Sequence, residues 1–399
     1  SSIVAVDAAT GTYKWHFQTT PGDNWDYTAT QTIILADLPV GEDGESRRVA
    51  MQAPKNGFFY VLDAETGAFL SGDAFVPMNW AEGLDENGRP IEIADARYGA
   101  VPYEQLPGPL GAHNWHPMAF NPDLNLAYIP AQEIPQSYAR DSRFETQPVG
   151  WNTGADFAAG VPPIAPPEVA KFLRSTLKGR LIAWDPIARE ARWTVEHDNA
   201  WNGGVLSTAG GLVFQGKLNG DFAAYDAATG DKLWSHDLKS GGASGPGTFM
   251  IDGEQYVTIT TGWGSAFGLS AGFAYDETVP STVGKVVTFK LGGTGEIADP
   301  DFPMIDKTPK GEAFGDEALI AEGAVHYARN CTVCHGPLAV SSGVLPDLRW
   351  SAISGHAESF KGVVIDGNTF SGSDDDLQAI YIGYNKGFAI TGNQIGLTG

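Results

Sequence analysis

The sequence is poor in sulfur, in positive charge and in long apolar runs. Of its 399 residues only 2 are cysteine and 5 are methionine, and 25 lysines and arginines stand against 48 aspartates and glutamates, a net charge of −23. Nucleic acid and anionic membrane surfaces would repel so acidic a chain. No apolar run approaches the length of a membrane helix. We therefore predict neither a nucleic-acid partner nor a membrane span.

The chain begins within a folded pattern. Ser1 opens directly on a strand-like pattern, without an initiator methionine, a basic segment or an apolar segment. We expect a signal peptide, and more of the protein, to lie upstream. A length of 399 residues is enough for two or three domains.

The two cysteines, Cys331 and Cys334, belong to one Cys-Thr-Val-Cys-His motif that ends at His335. Thiols three residues apart can bond to the two vinyl groups of one haem while the adjacent imidazole binds its iron. The alternatives are a disulfide, a redox-active cysteine pair, or a zinc site that recruits His326 and His356. We predict covalent haem c, with His335 on the iron, which favours an extracytoplasmic compartment.

One turn sequence recurs along the first three quarters of the chain. It reads Asp-Ala-Ala-Thr-Gly from Asp7 and from Asp226, reads Asp-Ala-Glu-Thr-Gly from Asp63, and returns in degraded form from Asp185. The Asp and Thr side chains can hydrogen-bond the turn backbone, the Gly can take a positive φ, and a Trp four residues later can pack on the neighbouring unit. A unit of roughly 40 to 60 residues with one insertion predicts blades of a β-propeller.

Three segments are predicted along the chain. Residues 1–292 form the propeller, and residues 293–315 form a linker because glycine, proline and charge mix there without periodicity. Helical spacing begins at Ala318, and Ser373 has the sequence context of the N-cap of a second helix. Residues 316–399 are therefore predicted to be a small helical domain.

Several longer phrases make the chain resemble the C-terminal portion of a pyrroloquinoline quinone (PQQ)-dependent quinohaemoprotein alcohol dehydrogenase, the type with a C-terminal cytochrome c domain. The phrases are Gly-Asp-Asn-Trp-Asp-Tyr-Thr (22–28), Gln-Ala-Pro-Lys-Asn-Gly-Phe (52–58), Gly-Ala-His-Asn-Trp-His-Pro (111–117), Trp-Asn-Gly-Gly (201–204) and Thr-Gly-Trp-Gly (261–264). The resemblance implies an all-β fold, a partial eight-bladed β-propeller with PQQ-type repeats, followed by a small all-α cytochrome c domain.

The resemblance implies that Asp26 removes the hydroxyl proton of an alcohol while hydride passes to PQQ. A carboxylate walled by Trp25 and Tyr27 would be desolvated, which would raise its pKa toward the range of a general base. The alternative is a solvated aspartate in a polar turn. Lys55 is implied to lie beside the quinone oxygens, where its charge would stabilise the reduced ring. The alternative for Lys55 is a surface lysine whose amine reaches solvent.

Further cofactor contacts are implied by the same resemblance. Asn114 would contact the quinone with its amide, and Trp201 would contact the plane of the ring. Gly262 and Trp263 would hold a cofactor carboxylate through backbone N–H groups. Each indole has the alternative of an ordinary docking residue between blades.

Two metal sites are considered, a calcium ion beside the quinone and the haem iron. The resemblance implies a calcium ion between quinone and protein, with Asp26 as the one candidate ligand in this chain. Thr28 stands where lanthanide-using relatives carry a second aspartate, which favours calcium. Relatives close the sixth position of the haem iron with a methionine, but Met304, the last methionine, precedes the haem motif. His356 as second ligand and a five-coordinate iron both stay open.

We therefore predict oxidation of an alcohol to an aldehyde or ketone by PQQ in the periplasm. Electrons would pass one at a time to haem c and on to an external acceptor, which is a soluble cytochrome, a copper protein or a quinone. The alternative is a non-enzymatic β-propeller binding scaffold with the haem domain as an electron relay. A scaffold has no need of Asp26, Lys55 and Asn114 in these phrases.

Overall fold

A computed structural model describes twelve stretches of the chain. They are residues 1–41, 44–146, 152–156, 159, 167–263, 267–270, 283–300, 317–331, 335–336, 348–350, 369–372 and 394–397. Cys334, His356 and the helix predicted after Ser373 lie outside these residues.

The described part of the chain is mostly β. Its first strands are β1 (Ser2–Val6), β2 (Tyr13–Gln18), β3 (Ile34–Leu38), β4 (Arg47–Gln52), β5 (Phe58–Asp63), β6 (Phe69–Ala74), β7 (Ala81–Leu84), β8 (Pro90–Glu92), β9 (Tyr103–Gln105), β10 (Ala119–Asn121), β11 (Leu126–Glu133), β12 (Gln136–Tyr138), β13 (Lys178–Asp185) and β14 (Glu190–His197). They are followed by β15 (Val205–Ser207), β16 (Leu212–Gly216), β17 (Asp221–Asp226), β18 (Lys232–Asp237), β19 (Gly247–Ile251), β20 (Glu254–Thr260), β21 (Val286–Lys290), β22 (Thr369–Gly372) and β23 (Gln394–Leu397).

The helices are few. They are α1 (Pro167–Thr176), α2 (Phe267–Ser270), α3 (Glu317–Asn330) and the short 3₁₀ segments Ala94–Arg97 and Leu348–Trp350. Within the described residues, no helix is both long and apolar enough to cross a membrane.

Antiparallel sheets follow one another along the chain. Sheet I contains β1 and β2, sheet II contains β3–β6, sheet III contains β10, β11, β13 and β14, sheet IV contains β15–β18, and sheet V contains β19–β21. Each four-stranded sheet pairs its strands in chain order, as expected of propeller blades. The segment between sheets II and III adds two small pairs, β7 with β8 and β9 with β12, with β12 following β11.

Apolar faces join successive sheets. Phe59 of sheet II and Ile129 of sheet III share one buried cluster. Tyr128 of sheet III and Tyr225 of sheet IV share a second, on the other face of sheet III. Phe222 belongs to a third cluster between sheets IV and V. Strands of sheets III and IV therefore bury both faces, because side chains alternate across a strand.

The repeated turn adopts the predicted hydrogen bonds. The amides two and three residues after the aspartate donate to its Oδ1 in all four copies, at Asp7, Asp63, Asp185 and Asp226. In the three intact copies the glycine has a positive φ of 70–77°. These observations confirm the predicted strand, turn and strand units.

Tryptophan docking between units is also confirmed. The indole Nε1 of Trp15 donates to the carbonyl of Ala64 at 3.2 Å, and its ring lies so close to Gly67 that a Cβ there would come within 2.6 Å. Trp193 makes the same pair of contacts with Ala227 and Gly230. Glycine in the turn therefore admits the indole of the preceding sheet.

The helix predicted before the haem motif is present as α3. Its hydrogen bonding continues past Asn330, since the Cys331 N–H donates to the Tyr327 carbonyl and the His335 N–H donates to the Cys331 carbonyl, each at 2.8 Å. The prediction of an all-α segment is corrected by β22 and β23, which pair in parallel. Each of these strands contains one glycine and one β-branched residue, and both residue types have lower helix propensity than alanine or leucine.

Candidate active site

Asp26 and Lys55 form an ion pair between two loops at one end of sheet II. Lys55 Nζ donates to Asp26 Oδ2 at 2.9 Å. The lysine side chain is 10% exposed and the aspartate side chain is 65% exposed. Among the described residues, no donor reaches Asp26 Oδ1. One carboxylate oxygen therefore pairs with a buried cation, and the other is available to accept a proton.

The aromatic neighbours of Asp26 do not surround its carboxylate. Trp25 and Tyr27 are fully buried, and their rings stack at 5.6 Å. Asp26 has a φ of +64°, a left-handed conformation that places its side chain on the solvent side of the loop. The prediction that Trp25 and Tyr27 desolvate the carboxylate is therefore wrong, because it assumed that adjacent side chains share one environment.

Several hydrogen bonds fix the backbone on both sides of Asp26. Trp25 Nε1 donates to the Ala96 carbonyl at 2.7 Å, and the Tyr138 hydroxyl donates to the Trp25 carbonyl at 3.0 Å. The Tyr27 hydroxyl donates to the Pro107 carbonyl. These contacts over-determine a conformation that would otherwise be strained, as is common at functional sites. Burial raises the pKa of both tyrosines, which stay protonated donors.

Gly111 determines the position of Lys55. Its φ is +77°, and a Cβ added there would lie 2.7 Å from Lys55 Cα. The next amide, of Ala112, donates to the Lys55 carbonyl at 2.9 Å. The segment that leads to Asn114 thus packs directly on the lysine.

His113 joins the segment that contains Lys55 to the segment that contains Asn114. Its Nδ1 lies 2.7 Å from the carbonyl oxygen of Ala53, and its Nε2 lies 2.6 Å from that of His116. Burial lowers the pKa of His113. The imidazole is a fully buried link between the strand end before Lys55 and the turn that contains Asn114.

Asn114 is half-buried and uses its amide locally. Nδ2 donates to the Leu110 carbonyl at 2.8 Å, and Oδ1 accepts from the Trp115 N–H at 2.8 Å. An amide nitrogen has two hydrogens. One N–H of Asn114 is therefore available for a further acceptor, which agrees with the predicted type of contact.

Trp201 lies in the core rather than on an open surface. It is 1% exposed, has a φ of +63°, and stacks on Phe267 with centroids 5.1 Å apart. His116 meets the indole edge-on at 4.8 Å. Phe267 covers one face of the ring, and the ring-plane contact at Trp201 stays a prediction. The indole Nε1 is buried and has no hydrogen-bond partner in the described part of the chain.

The motif search missed two residues beside Asn114. Trp115 is 43% exposed and stacks on His116 at 4.2 Å. Burial lowers the pKa of His116 to about 3, and its Nε2 has no partner among the residues described. Trp115 is therefore the accessible indole beside Asn114. Its place in the 111–117 phrase was the available sequence signal.

Gly262 and Trp263 lie at the same core as Trp201. The Gly262 N–H donates to the Gly241 carbonyl at 2.7 Å, which makes the predicted use of this N–H for a cofactor wrong. A bridge between Gly242 and Gly262 sets this pairing. Trp263 is 6% exposed and shares a cluster with Trp201, against which Leu110 packs.

The residues present fit PQQ better than they fit calcium. PQQ carries carboxylates and carbonyl oxygens, and the buried Trp201 Nε1, the Lys55 amine and the second N–H of Asn114 are donors suited to them. Across the described residues no group of three potential metal ligands occurs. Asp26 alone, already paired with Lys55, does not form a calcium site.

Comparison with known proteins agrees with this chemistry. A family profile described as "Glucose/ethanol/alcohol dehydrogenase, beta-propeller domain" of the PQQ type matches residues 1–72 and 99–257. The quinohemoprotein alcohol dehydrogenase of Comamonas testosteroni is 43% identical over 399 residues, which cover 95% of this chain and 54% of that protein. Quinohemoprotein alcohol dehydrogenase ADH-IIG of Pseudomonas putida is 46% identical over 387 residues, 93% of this chain and 52% of that protein.

A solved structure extends the likeness to three dimensions. The quinohemoprotein alcohol dehydrogenase ADHIIG from Pseudomonas putida HK5 matches with a TM-score of 0.84 and 44% identity, over 92% of this chain and 54% of that one. The chain spans about half the length of the curated relatives it matches. Since the family profile covers more than half of the chain, the chain belongs to the PQQ-dependent quinohaemoprotein alcohol dehydrogenases and contains part of their β-propeller.

Proposed function

We propose that this chain oxidises alcohols with PQQ, and that Asp26 is the general base. The observation that carries the proposal is the 2.9 Å ion pair between the buried Lys55 and the exposed Asp26. A buried amine requires a charged partner, and an exposed carboxylate provides it while keeping one oxygen open. A binding scaffold has no use for such a pair at the end of a sheet.

Each side chain has a defined task in this proposal. PQQ, when bound, supplies a quinone carbonyl carbon that accepts hydride. Asp26 Oδ1 takes the hydroxyl proton of the alcohol, which requires the hydroxyl to bind within hydrogen-bond reach of this oxygen. Lys55 Nζ holds Asp26 Oδ2 in place, and its positive charge would stabilise the negative charge that develops when the quinone is reduced. Asn114 and the Trp201 Nε1 bind and orient the cofactor through their available N–H groups.

We extend the proposal to the haem motif and its surroundings. Cys331 and Cys334 bind haem c, His335 binds its iron, and residues 316–399 form the cytochrome c domain after the 293–315 linker. The hydrogen bonds from Tyr327 to His335 support this, since they place Cys331 and His335 one helical turn apart. Electrons then pass to an external acceptor in the periplasm. Calcium, with Asp26 as one ligand, requires further ligands beyond the residues described.

Replacing Asp26 by Asn tests the base assignment. In protein reconstituted with PQQ and calcium, we expect alcohol-dependent haem reduction to fall by at least about 100-fold, within the range for loss of a general base. PQQ binding, followed by absorbance, should stay within a few-fold of the parent protein. Unchanged turnover would end the assignment of Asp26.

Asp37→Asn is the matched control. Asp37 is 62% exposed and pairs with Arg48 at 3.1 Å, so it resembles Asp26 in exposure and in pairing but lies on β3. Its replacement should leave turnover unchanged. Failure of the parent protein to reduce haem with any member of a broad alcohol panel would favour the scaffold.

A further inference from the structure

Three glutamines share one position in three successive sheets. Gln52 is the last residue of β4, and Gln132 and Gln215 are the penultimate residues of β11 and β16. Each is on the second strand of its sheet, and each is at most 2% exposed. A buried amide is costly unless its polar atoms find partners, so this recurrence calls for a physical cause.

Each glutamine donates to carbonyls of the loop that precedes the first strand of its own sheet. Gln52 Nε2 donates to Ala29 at 3.1 Å and to Gln31 at 2.7 Å. Gln132 Nε2 donates to the carbonyls of residues 110 and 111, both at 3.1 Å. Gln215 Nε2 donates to the carbonyl of residue 203 at 2.9 Å.

The three loops carry the candidate site. The first contains Asp26, the second Asn114 and the third Trp201. Each loop also contains at least one residue with a positive φ, among them Asp26 at 64°, Gly111 at 77° and Trp201 at 63°. A left-handed residue interrupts regular backbone pairing and leaves carbonyls that need other donors.

We propose that Gln52, Gln132 and Gln215 are positioning residues that form the same amide clamp three times, each holding the loop that carries one residue of the PQQ site. The proposal rests on the proposed function for the meaning of the site, but the clamps themselves are a property of the fold. None of the three glutamines is a catalytic residue, because each acts through the loop that it holds.

The clamp explains why a buried glutamine lies at or next to the end of each of these strands. An apolar residue of the same size would leave the loop carbonyls buried without a donor, which costs more than the hydrogen bond itself. The loop would then move toward solvent and carry its site residue with it. The Nε2 of each glutamine donates only to its own loop, although Gln215 Oε1 also lies 2.9 Å from His197 Nε2. Loss of one clamp should therefore loosen one loop and spare the other two.

Hydrogen exchange of three methionine variants tests this selectivity. Gln52→Met, Gln132→Met and Gln215→Met keep the side-chain volume and remove the donor. Amides should exchange at least about tenfold faster in residues 26–33, 109–116 and 199–204 respectively, with the other two loops unchanged. Gln136→Met is the control, because Gln136 Nε2 donates to the carbonyl of the adjacent Ser137 instead. The three variants are independent, so one that does not fold leaves two that decide.

Kinetics of the PQQ-loaded protein give the second measurement. Gln52→Met should lower kcat about tenfold with PQQ affinity unchanged, whereas the other two variants should raise the Kd for PQQ about tenfold, since small displacements of a site are enough for such losses. The proposed clamps would be overturned if a single variant accelerated exchange equally in all three loops, or if no variant accelerated exchange in any loop. If the loops of a variant exchange faster but its kinetics match those of an active parent protein, the glutamines do not position the site. If the parent protein oxidises no alcohol, the proposed function fails while hydrogen exchange still decides whether the clamps exist.

Discussion

Lys55 shows how one neighbouring glycine can place a side chain of the candidate site. The lysine is buried because residues 111 and 112 lie directly against its backbone and stem, and only a residue without a Cβ permits this approach. The same glycine sits in the left-handed region, so two requirements coincide at Gly111.

Gly111→Ala should therefore be more damaging than a glycine replacement in an open turn. Gly11 is the matched control, since its φ is +70° and nothing lies within 4 Å of an added Cβ. We expect Gly11→Ala to cost about 1 kcal/mol of unfolding free energy and Gly111→Ala about 1–3 kcal/mol more, with lower turnover. Urea denaturation measures both, and equal costs would show that the close approach to Lys55 is unimportant.

The sequence specified the identity of the candidate site residues but not their environment. Asp26 and Lys55 were both found from their phrases, and the structure brings them within 2.9 Å. The environment of Asp26 was predicted wrongly because a single positive φ turned its side chain away from Trp25 and Tyr27. Backbone dihedrals of this kind are set by distant anchors such as Tyr138, which no local pattern reveals.

At the scale of the element, the repeated turn uses two different devices to join sheets. Trp15 and Trp193 dock on glycines of the next turn. Between sheets II and III, Arg189 takes the place of the glycine with a φ of +63°, and its guanidinium binds Asp73 through two hydrogen bonds of 2.7 and 2.8 Å. The degraded copy of the turn has thus exchanged ring packing for an ion pair.

Replacing Arg189 by Gly should be nearly neutral. The ion pair is partly exposed and contributes at most about 1 kcal/mol. A left-handed non-glycine residue costs roughly 1–2 kcal/mol, which the glycine would recover. We expect the unfolding free energy to change by less than about 1 kcal/mol for Arg189→Gly and to fall by about 0.5–1 kcal/mol for Arg189→Ala. A loss above about 2 kcal/mol in Arg189→Gly would show that the ion pair is stronger than its exposure implies.

Elements with a strong local signal were predicted well. The Asp-x-x-Thr-Gly turns and α3 were expected where they occur. The pairs β7 with β8 and β9 with β12 were not predicted, because short strands of three or four residues carry little periodicity. The pairing of β22 with β23 likewise depends on a partner more than twenty residues away.

At the scale of the whole molecule, buried histidines couple folding to pH. Burial lowers the pKa of His116 to about 3 and that of His197 to about 4. His197 Nε2 also lies 2.9 Å from Gln215 Oε1. In the unfolded chain each imidazole takes up a proton near pH 6.5, but in the folded protein it does so only at lower pH. Stability is therefore complete above pH 6.5 and is lost as the pH falls toward 4.

We expect the unfolding free energy to fall by about 1.4 kcal/mol per pH unit for each such histidine between pH 6 and 4.5. Urea denaturation at several pH values measures the slope. His197→Asn should reduce the slope by about the contribution of one histidine, whatever its effect on stability at neutral pH. The same slope in the parent protein and in the variant would contradict this assignment.

The sequence by itself determined the repeating unit, the family and the identity of the charged residues, because these depend on local turn chemistry and on contiguous phrases. Tertiary structure alone decided which groups meet: Lys55 with Asp26, Phe267 on the face of Trp201, the Gly262 N–H with Gly241, and three glutamines with three loops. The physical reason is that burial and hydrogen-bond partners are supplied by residues far away in the chain. The direction in which a side chain points is then set by backbone angles that those partners fix.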